Sequence, residues 1–266
     1  MLPIVERRHL IDPARMGARA LFDVIRDEST RALRAGAQET ILTCDPALRG
    51  THIARSLGRR CVGAGLGRLR TLTPADHANL TFLGATAAEP TGDTVAVLDC
   101  DEGSTEIAVG RPGSRPKWSA SRPVGPKRLS ERFIRSDPPA ATEIALMRDA
   151  ARRGLGTLRP PGCERVLIAA GAASSLTVLC GERVDRESVA QAWQFLEFGH
   201  SEIVAAQLGI EPRQVRRMIG SLVIAEAVSD LLGRPLRFGS GGYLEGIVFA
   251  RSRRLSIGAD VAGVAR

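Results

Sequence analysis

The residues best suited to chemistry sit together in one short stretch. From Leu98 to Gly110 the chain reads LDCDEGSTEIAVG, two apolar runs on either side of a tight DEGS. Small residues in a turn between strands expose backbone N–H groups, and such a nest binds phosphate. Gly103 lets the backbone come close, and the hydroxyls of Ser104 and Thr105 add donors. Asp99 before the turn and Glu106 after it carry the charge to hold a divalent cation that bridges phosphate oxygens. A plain hairpin with polar turn residues is the competing reading of the same motif.

The surrounding segments must position that turn. TVAVLDC, TEIAVG and PKWSASRPV follow one another as strands, which predicts an antiparallel meander. Before it, TPADHANLTFLGAT reads as a helix with Thr73 as N-cap, Pro74 at the first helical position and Asp76 completing a capping box. Further upstream, a helix runs from near Pro13 to Gly36 with Leu21, Val24, Ile25 and Leu33 as its apolar face. ETILTC then reads as a buried strand, and a short helix opens at Asp45-Pro46. After the meander, two helices break at SDPP, and RVLIAAGAASSLTVLC passes from strand through a small-residue turn into a helix. Three helices ending on glycines follow, then PLRFGSGGYLEGIVFA as strand, glycine turn and last helix. The sum is a mixed α/β chain. Residues 87–94 (AAEPTGDT) are the best linker, giving an N-terminal part, 1–86, and a larger part, 92–254.

With 266 residues, 44% hydrophobic and 25% charged, the chain has an ordinary globular balance. Its formal charge of +8 favours anions without selecting among them. Aromatics at 4%, with a single Tyr, argue against base-stacking platforms, so no specific nucleic acid is expected. Cys44, Cys61, Cys100, Cys163 and Cys180 are odd in number and form no C-x-x-C pair, which suits reduced, buried thiols. No apolar run approaches a membrane span and no signal-peptide core is present, so a cytoplasmic protein without membrane partners is expected.

Five segments, in order, resemble the exopolyphosphatase/guanosine pentaphosphate phosphohydrolase (Ppx/GppA) family. LDCDEGSTEIAVG is similar to its DIGGGSTEL hairpin, and SRPVGPKRLSERFI to its next strand and helix. RVLIAAGAASSLTVL resembles its second glycine turn, SGGYLEGIVFA its closing s-x-x-GLREGil, and ADHANLTFLGAT its EEARLxxLG helix. The resemblance runs from about Leu21 to about Ala250. It implies an actin-like ATPase (ribonuclease H-like) fold of two lobes, the first truncated at its N-terminus. It also implies hydrolysis of a terminal phosphate from polyphosphate or pppGpp with Mg2+, and a homodimer. By the same resemblance two glycine turns hold phosphate, with Gly103, Ser104, Thr105, Gly171 and Ser174 as the matching positions, and Asp99 and Glu106 hold the metal. In-line attack of this kind draws its catalysis from positioning and charge neutralisation.

Four departures from the family pattern stand beside the match. The family's opening D-x-G-S-N-S loop has no counterpart in the chain. Counting back from Asp99 and Gly84 without gaps puts His77 where the family carries its catalytic Glu, with Asp76 just before it. A His can act as general base near neutral pH, and a helix N-terminus favours its neutral form; the alternative is a capping Asp76 and a surface His77. Two of the turn's three glycines are replaced by Asp101 and Glu102. Each carboxylate repels a phosphate charge at ~4 Å by about 1 kcal/mol in water and about 4 at an effective dielectric of 20. Finally, Ala172 and Leu244 replace a Thr and an Arg that donate to phosphate in the family. RPGSRPK (Arg111–Lys117), GPKR and RQVRR (Arg213–Arg217) read either as a polyanion track or as solvated arginine. The expectation is an exopolyphosphatase-like hydrolase with impaired turnover and a degenerate site. The alternatives are a non-catalytic protein that binds polyphosphate or a guanosine polyphosphate, and an N-terminally truncated gene product.

Overall fold

The computed structural model describes residues 13–44, 46–171, 174–197, 199–255, 257 and 259–260. The chain divides into two compact units, Met1–His77 with Arg251–Arg266, and Ala78–Ala250.

In the first unit, helix α1 (Pro13–Arg34) is interrupted at Gly17, whose φ of 72° and ψ of 166° are not helical. Leu21 is buried, and Phe22 and Ile25 pack against the same cluster. Leu33, expected on this apolar face, is 50% exposed because the cluster draws on no residue of the last turn of α1. The strand expected over ETILTC shortens to β1 (Leu42–Cys44), in which only Cys44 is buried. Its ladder is the parallel pairing with β2 (Leu69–Thr71), itself three residues long, and this limits both strands. The short strand Ala259–Asp260 pairs antiparallel on the other side of β2. The helix expected from Asp45-Pro46 splits. A 3-10 turn covers Pro46–Leu48, and α2 (His52–Gly63) begins only after Thr51, whose hydroxyl accepts the Ala54 amide at 3.2 Å. Gly50, at φ 74°, makes that break; Asp45 lies outside the described residues.

The second unit is built on a six-stranded sheet. Strands β3 (Val95–Cys100), β4 (Thr105–Gly110) and β5 (Trp118–Arg122) form the expected antiparallel meander. On its other side β3 runs parallel to β6 (Arg165–Ile168), with Leu98 opposite Ile168. Two further strands, β7 (Arg183–Val184) and β8 (Leu236–Phe238), complete the sheet in the order β5-β4-β3-β6-β8-β7. Every residue of β4 is buried, as befits a strand covered on both faces.

Two helices, α3 (Pro74–Ala85) and α10 (Tyr243–Ser252), cross the division between the units. Between the meander and β6 lie α4 (Pro126–Phe133) and α5 (Ala141–Leu155), broken at SDPP as expected. Then come α6 (Ser174–Cys180), α7 (Arg186–Glu197), α8 (Ser201–Leu208) and α9 (Pro212–Leu232). Both α8 and α9 end on glycines in the left-handed conformation, Gly209 and Gly233. The main core joins the α4, α5 and α9 faces to one side of the sheet, with Ile144, Met147, Leu222 and Val228 fully buried. Residues 87–94 join α3 to β3 within this unit.

Candidate active site

Helix α3 brings the first group. Its capping box forms: the Asp76 amide donates to the Thr73 hydroxyl at 3.0 Å, and the Asp76 carboxylate accepts the Thr73 amide and hydroxyl at 2.9 and 2.7 Å. Asp76 is thereby engaged at the helix start. His77, beside it, is only 7% exposed, so the reading of a surface histidine is overturned. One turn further, the Thr81 hydroxyl donates to the Asp99 carboxylate at 3.1 Å and ties α3 to the end of β3. Two close backbone approaches fix the same helix. A Cβ on Gly84 would lie 1.8 Å from the Gly242 carbonyl oxygen, and one on Gly246 equally near that of Leu80. Helices α3 and α10 therefore meet through bare backbone.

The hairpin brings the second group. Asp99 stands opposite Glu106 in the β3–β4 ladder, and Asp101 follows directly after the last residue of β3. Ligand atoms of His77, Asp101 and Glu106 all lie within 4.8 Å of one another. This group could hold a metal ion. Asp101, read from sequence as a repelling charge, is in it; Asp99 is not, and instead accepts from Thr81. Beside the group the Cys100 thiol is held protonated, its pKa raised by burial and by the charge of Asp99.

At the turn itself, Gly103 is exposed and Ser104 half-buried. Among the described residues, no acceptor takes the amide of either, nor the Ser104 hydroxyl. Thr105 differs: it is fully buried, and its hydroxyl donates to the Val124 carbonyl. A side chain at Gly103 would meet open space. The glycine that the turn cannot do without is Gly125, whose Cβ would lie 2.4 Å from the Glu102 carbonyl oxygen. That carbonyl accepts the amides of Lys127 and Arg128 at 3.1 and 3.4 Å, so the hairpin turn caps α4.

Glu102 is the second surprise. One carboxylate oxygen lies 2.6 Å from the Arg217 guanidinium and the other 3.5 Å from the Lys127 ammonium. The charge expected to repel phosphate is met by two cations from α4 and α9, one from each of the GPKR and RQVRR segments. Their membership in basic segments was visible in the sequence; their convergence on Glu102 was not.

The second glycine turn leaves β6. Gly171 is half-buried with φ 145°, a value that favours glycine. Ser174 opens α6, but its side chain lies outside the described residues, as does Ala172. The Ala169 amide donates to Leu98, that of Ala170 to Gly241, and that of Gly239 to Ile168. These bonds stitch the ends of β3, β6 and β8 together. Since the three strands are parallel, the hairpin turn, the Gly171 turn and the glycine turn before α10 leave the sheet at the same end. Carboxyl ends of parallel strands are the usual ligand end of an α/β sheet. Leu244, in the first turn of α10, is 51% exposed.

An antiparallel meander continued by parallel strands, helices on its faces, and a second α/β unit define a mixed α/β protein of the actin-like type, with its glycine turns gathered at one end of its sheet. The model of the Ppx/GppA phosphatase family matches residues 67–252, and the chain belongs to that family. Exopolyphosphatase 2 of Mycobacterium tuberculosis (strain H37Rv) is 34% identical over 110 residues, which make up 41% of this chain. The aligned stretch spans 34% of that relative's length. Among solved structures, the type II variant of the Aquifex aeolicus Ppx/GppA phosphatase superposes with a TM-score of 0.76 at 18% identity, over 88% of this chain and 82% of that one. An exopolyphosphatase from Cytophaga hutchinsonii gives 0.74 at 16% identity, over 91% and 84%. At these identities the likeness shows the fold. Among the described residues no helix is long and apolar enough to cross a membrane. None of the five cysteines is in a disulfide, and all but Cys163 are buried.

Proposed function

We propose that the protein is an exopolyphosphatase-type phosphohydrolase that removes the terminal phosphate of polyphosphate or pppGpp. The observation that carries this reading is the grouping of His77, Asp101 and Glu106 beside the free amides of Gly103 and Ser104. The amides and the Ser104 hydroxyl receive the terminal phosphoryl oxygens. His77 takes the proton of the attacking water, a task suited to an imidazole near neutral pH. Asp76, held in the cap, fixes the first turn of α3 and hence the direction of His77.

The donor set fits Mg2+ through the two carboxylates, since this ion binds by one or two carboxylates and keeps several waters. When bound, it would neutralise charge on the phosphoryl oxygens. Asp101 and Glu106 would hold it, leaving His77 as base. Glu102 slows the enzyme, because an incoming phosphate must compete with its carboxylate for Lys127 and Arg217.

The test is orthophosphate release from polyphosphate and from pppGpp by purified protein with Mg2+. Slow release that His77→Ala lowers by about 10²- to 10⁴-fold is expected. Release restricted to Zn2+ would make His77 a ligand instead of the base, since imidazole suits that metal. Binding of both substrates without release would leave a non-catalytic polyphosphate-binding protein.

A further inference from the structure

The free edge of the six-stranded sheet carries a second basic region. In the β7–β8 ladder Arg183 stands directly opposite Arg237. Opposed side chains in an antiparallel pair share one face, and like charges placed so destabilise the pair. No carboxylate answers Arg237 among the described residues, and Arg183 has only Asp185 at 3.7 Å. The same two arginines line two cavities. One, of about 660 Å³, is bounded by Thr177, Gly181, Glu182, Arg183, Arg237 and Phe238. The other, of about 170 Å³, adds Arg165 and Arg234. Arg165 is spoken for by Glu89 and Asp93 at 2.6 and 2.8 Å, whereas the side chain of Arg234 has no ion-pair partner among the described residues. Likewise Glu164, in the smaller cavity, accepts the Thr94 amide at 2.6 Å.

This region is not part of the hairpin site. Arg165 begins β6 opposite Val95, the first residue of β3, while the hairpin turn follows Cys100, the last. Arg234 likewise precedes β8. The smaller cavity therefore opens at the sheet end away from the glycine turns, and the larger one runs along the β7–β8 edge to Phe238 at the end of β8, two strands across from β3 and its hairpin.

We infer that the β7–β8 edge is a second anion site, in which Arg183, Arg234 and Arg237 receive the phosphates of a linear phosphate chain. Among the described residues Arg237 has no carboxylate of its own and Arg183 only the distant Asp185, so an anion between the two guanidiniums removes a repulsion as well as adding charge-assisted hydrogen bonds. A cavity of this size falls in the range of small-molecule sites, roughly 300–1,000 Å³. It takes several linked phosphoryl groups. The guanidinium fork matches phosphate oxygens two at a time. The inference does not depend on catalysis at the hairpin.

The experiment is a titration of the full chain with inorganic tripolyphosphate, followed by backbone amide resonances. The amides of Gly181 to Arg183 and of Arg237 and Phe238 are expected to shift saturably. In the Arg183→Ala/Arg237→Ala double variant the half-saturating concentration at these amides rises by at least about tenfold. Both side chains are exposed and like-charged, so the variant keeps its fold, checked by its circular dichroism and melting temperature. A parallel titration with GTP separates the sources. Equal affinity identifies the inorganic chain as sufficient, and tighter binding adds a ring over Phe238; both support the site. Edge amides that do not move, or move equally in the double variant, overturn it. The amides of Gly103 and Ser104 report the hairpin separately, so failure at either place is read independently of the other.

Discussion

Two basic regions lie on the same sheet, and they are managed in opposite ways. At the hairpin, Lys127 and Arg217 close on Glu102, a carboxylate of the chain itself. At the β7–β8 edge, Arg237 and Arg234 have no such partner among the described residues. A ligand at the hairpin must displace an internal anion; a ligand at the edge finds the cations ready. The contrast teaches that counting basic residues does not rank anion sites. What ranks them is whether an internal carboxylate has already taken the cations.

Several variants would break or sharpen this contrast. The largest effect is expected from Gly125→Ala. Its Cβ meets the backbone of Glu102 and Gly103 and not a yielding side chain, so a loss of about 1–3 kcal/mol is expected in urea unfolding, together with loss of tripolyphosphate shifts at Ser104. Intact stability would show that the turn and α4 do not touch as described. Next is Asp185→Ala, which removes the N-cap of α7. The Asp185 carboxylate accepts the Ser188 amide at 3.1 Å, and the melting temperature should fall in step with about 1 kcal/mol.

That loss should depend on pH. The Ser188 amide is the main cause that holds the Asp185 carboxyl below its ordinary value, with the Ser188 hydroxyl and Arg183 adding to it. A depressed carboxyl contributes its stability above the unfolded pKa and loses it as pH falls through the folded one. The gap between wild type and Asp185→Ala should therefore be full at pH 7 and close below the carboxylate range. A gap unchanged at acid pH would refute the charged cap. The smallest effect belongs to Glu102→Gln. Exposed ion pairs are worth about 0–1 kcal/mol, so freeing Lys127 and Arg217 should tighten tripolyphosphate at the hairpin by up to about fivefold, with the β7–β8 edge unchanged. Weaker binding would mean that Glu102 helps hold the ligand's cation instead of competing with it.

The sequence made the meander legible because three alternating runs follow one another with short turns, and because pairing between neighbours needs no distant information. It made the α3 capping box legible for the same local reason. The strands it hid are those whose ladders come from far along the chain. LRT, with an arginine at its centre, is a strand only because β1 lies beside it, and Arg183–Val184 only because β8 does. The candidate site divides likewise. Gly103, Ser104 and Glu106 could be read from a local pattern, and His77 from its spacing to Gly84. Asp101 looked like a fault in a glycine turn, since nothing local says that a buried histidine faces it. The meeting of Arg217 with Glu102 depends on α9 packing along α4, where a Cβ on Gly220 would lie 2.5 Å from the Pro126 carbonyl oxygen. No short window of sequence contains that contact.

The carbonyl of Glu102 has one more consequence. Helix α4 has no capping side chain at Gly125 and borrows its first acceptor from the hairpin. Any pull on the turn is then felt as fraying of α4, and through Gly220 by the long α9. Occupancy of the hairpin should be audible at a distance, as slower amide hydrogen exchange at Lys127 and Arg128.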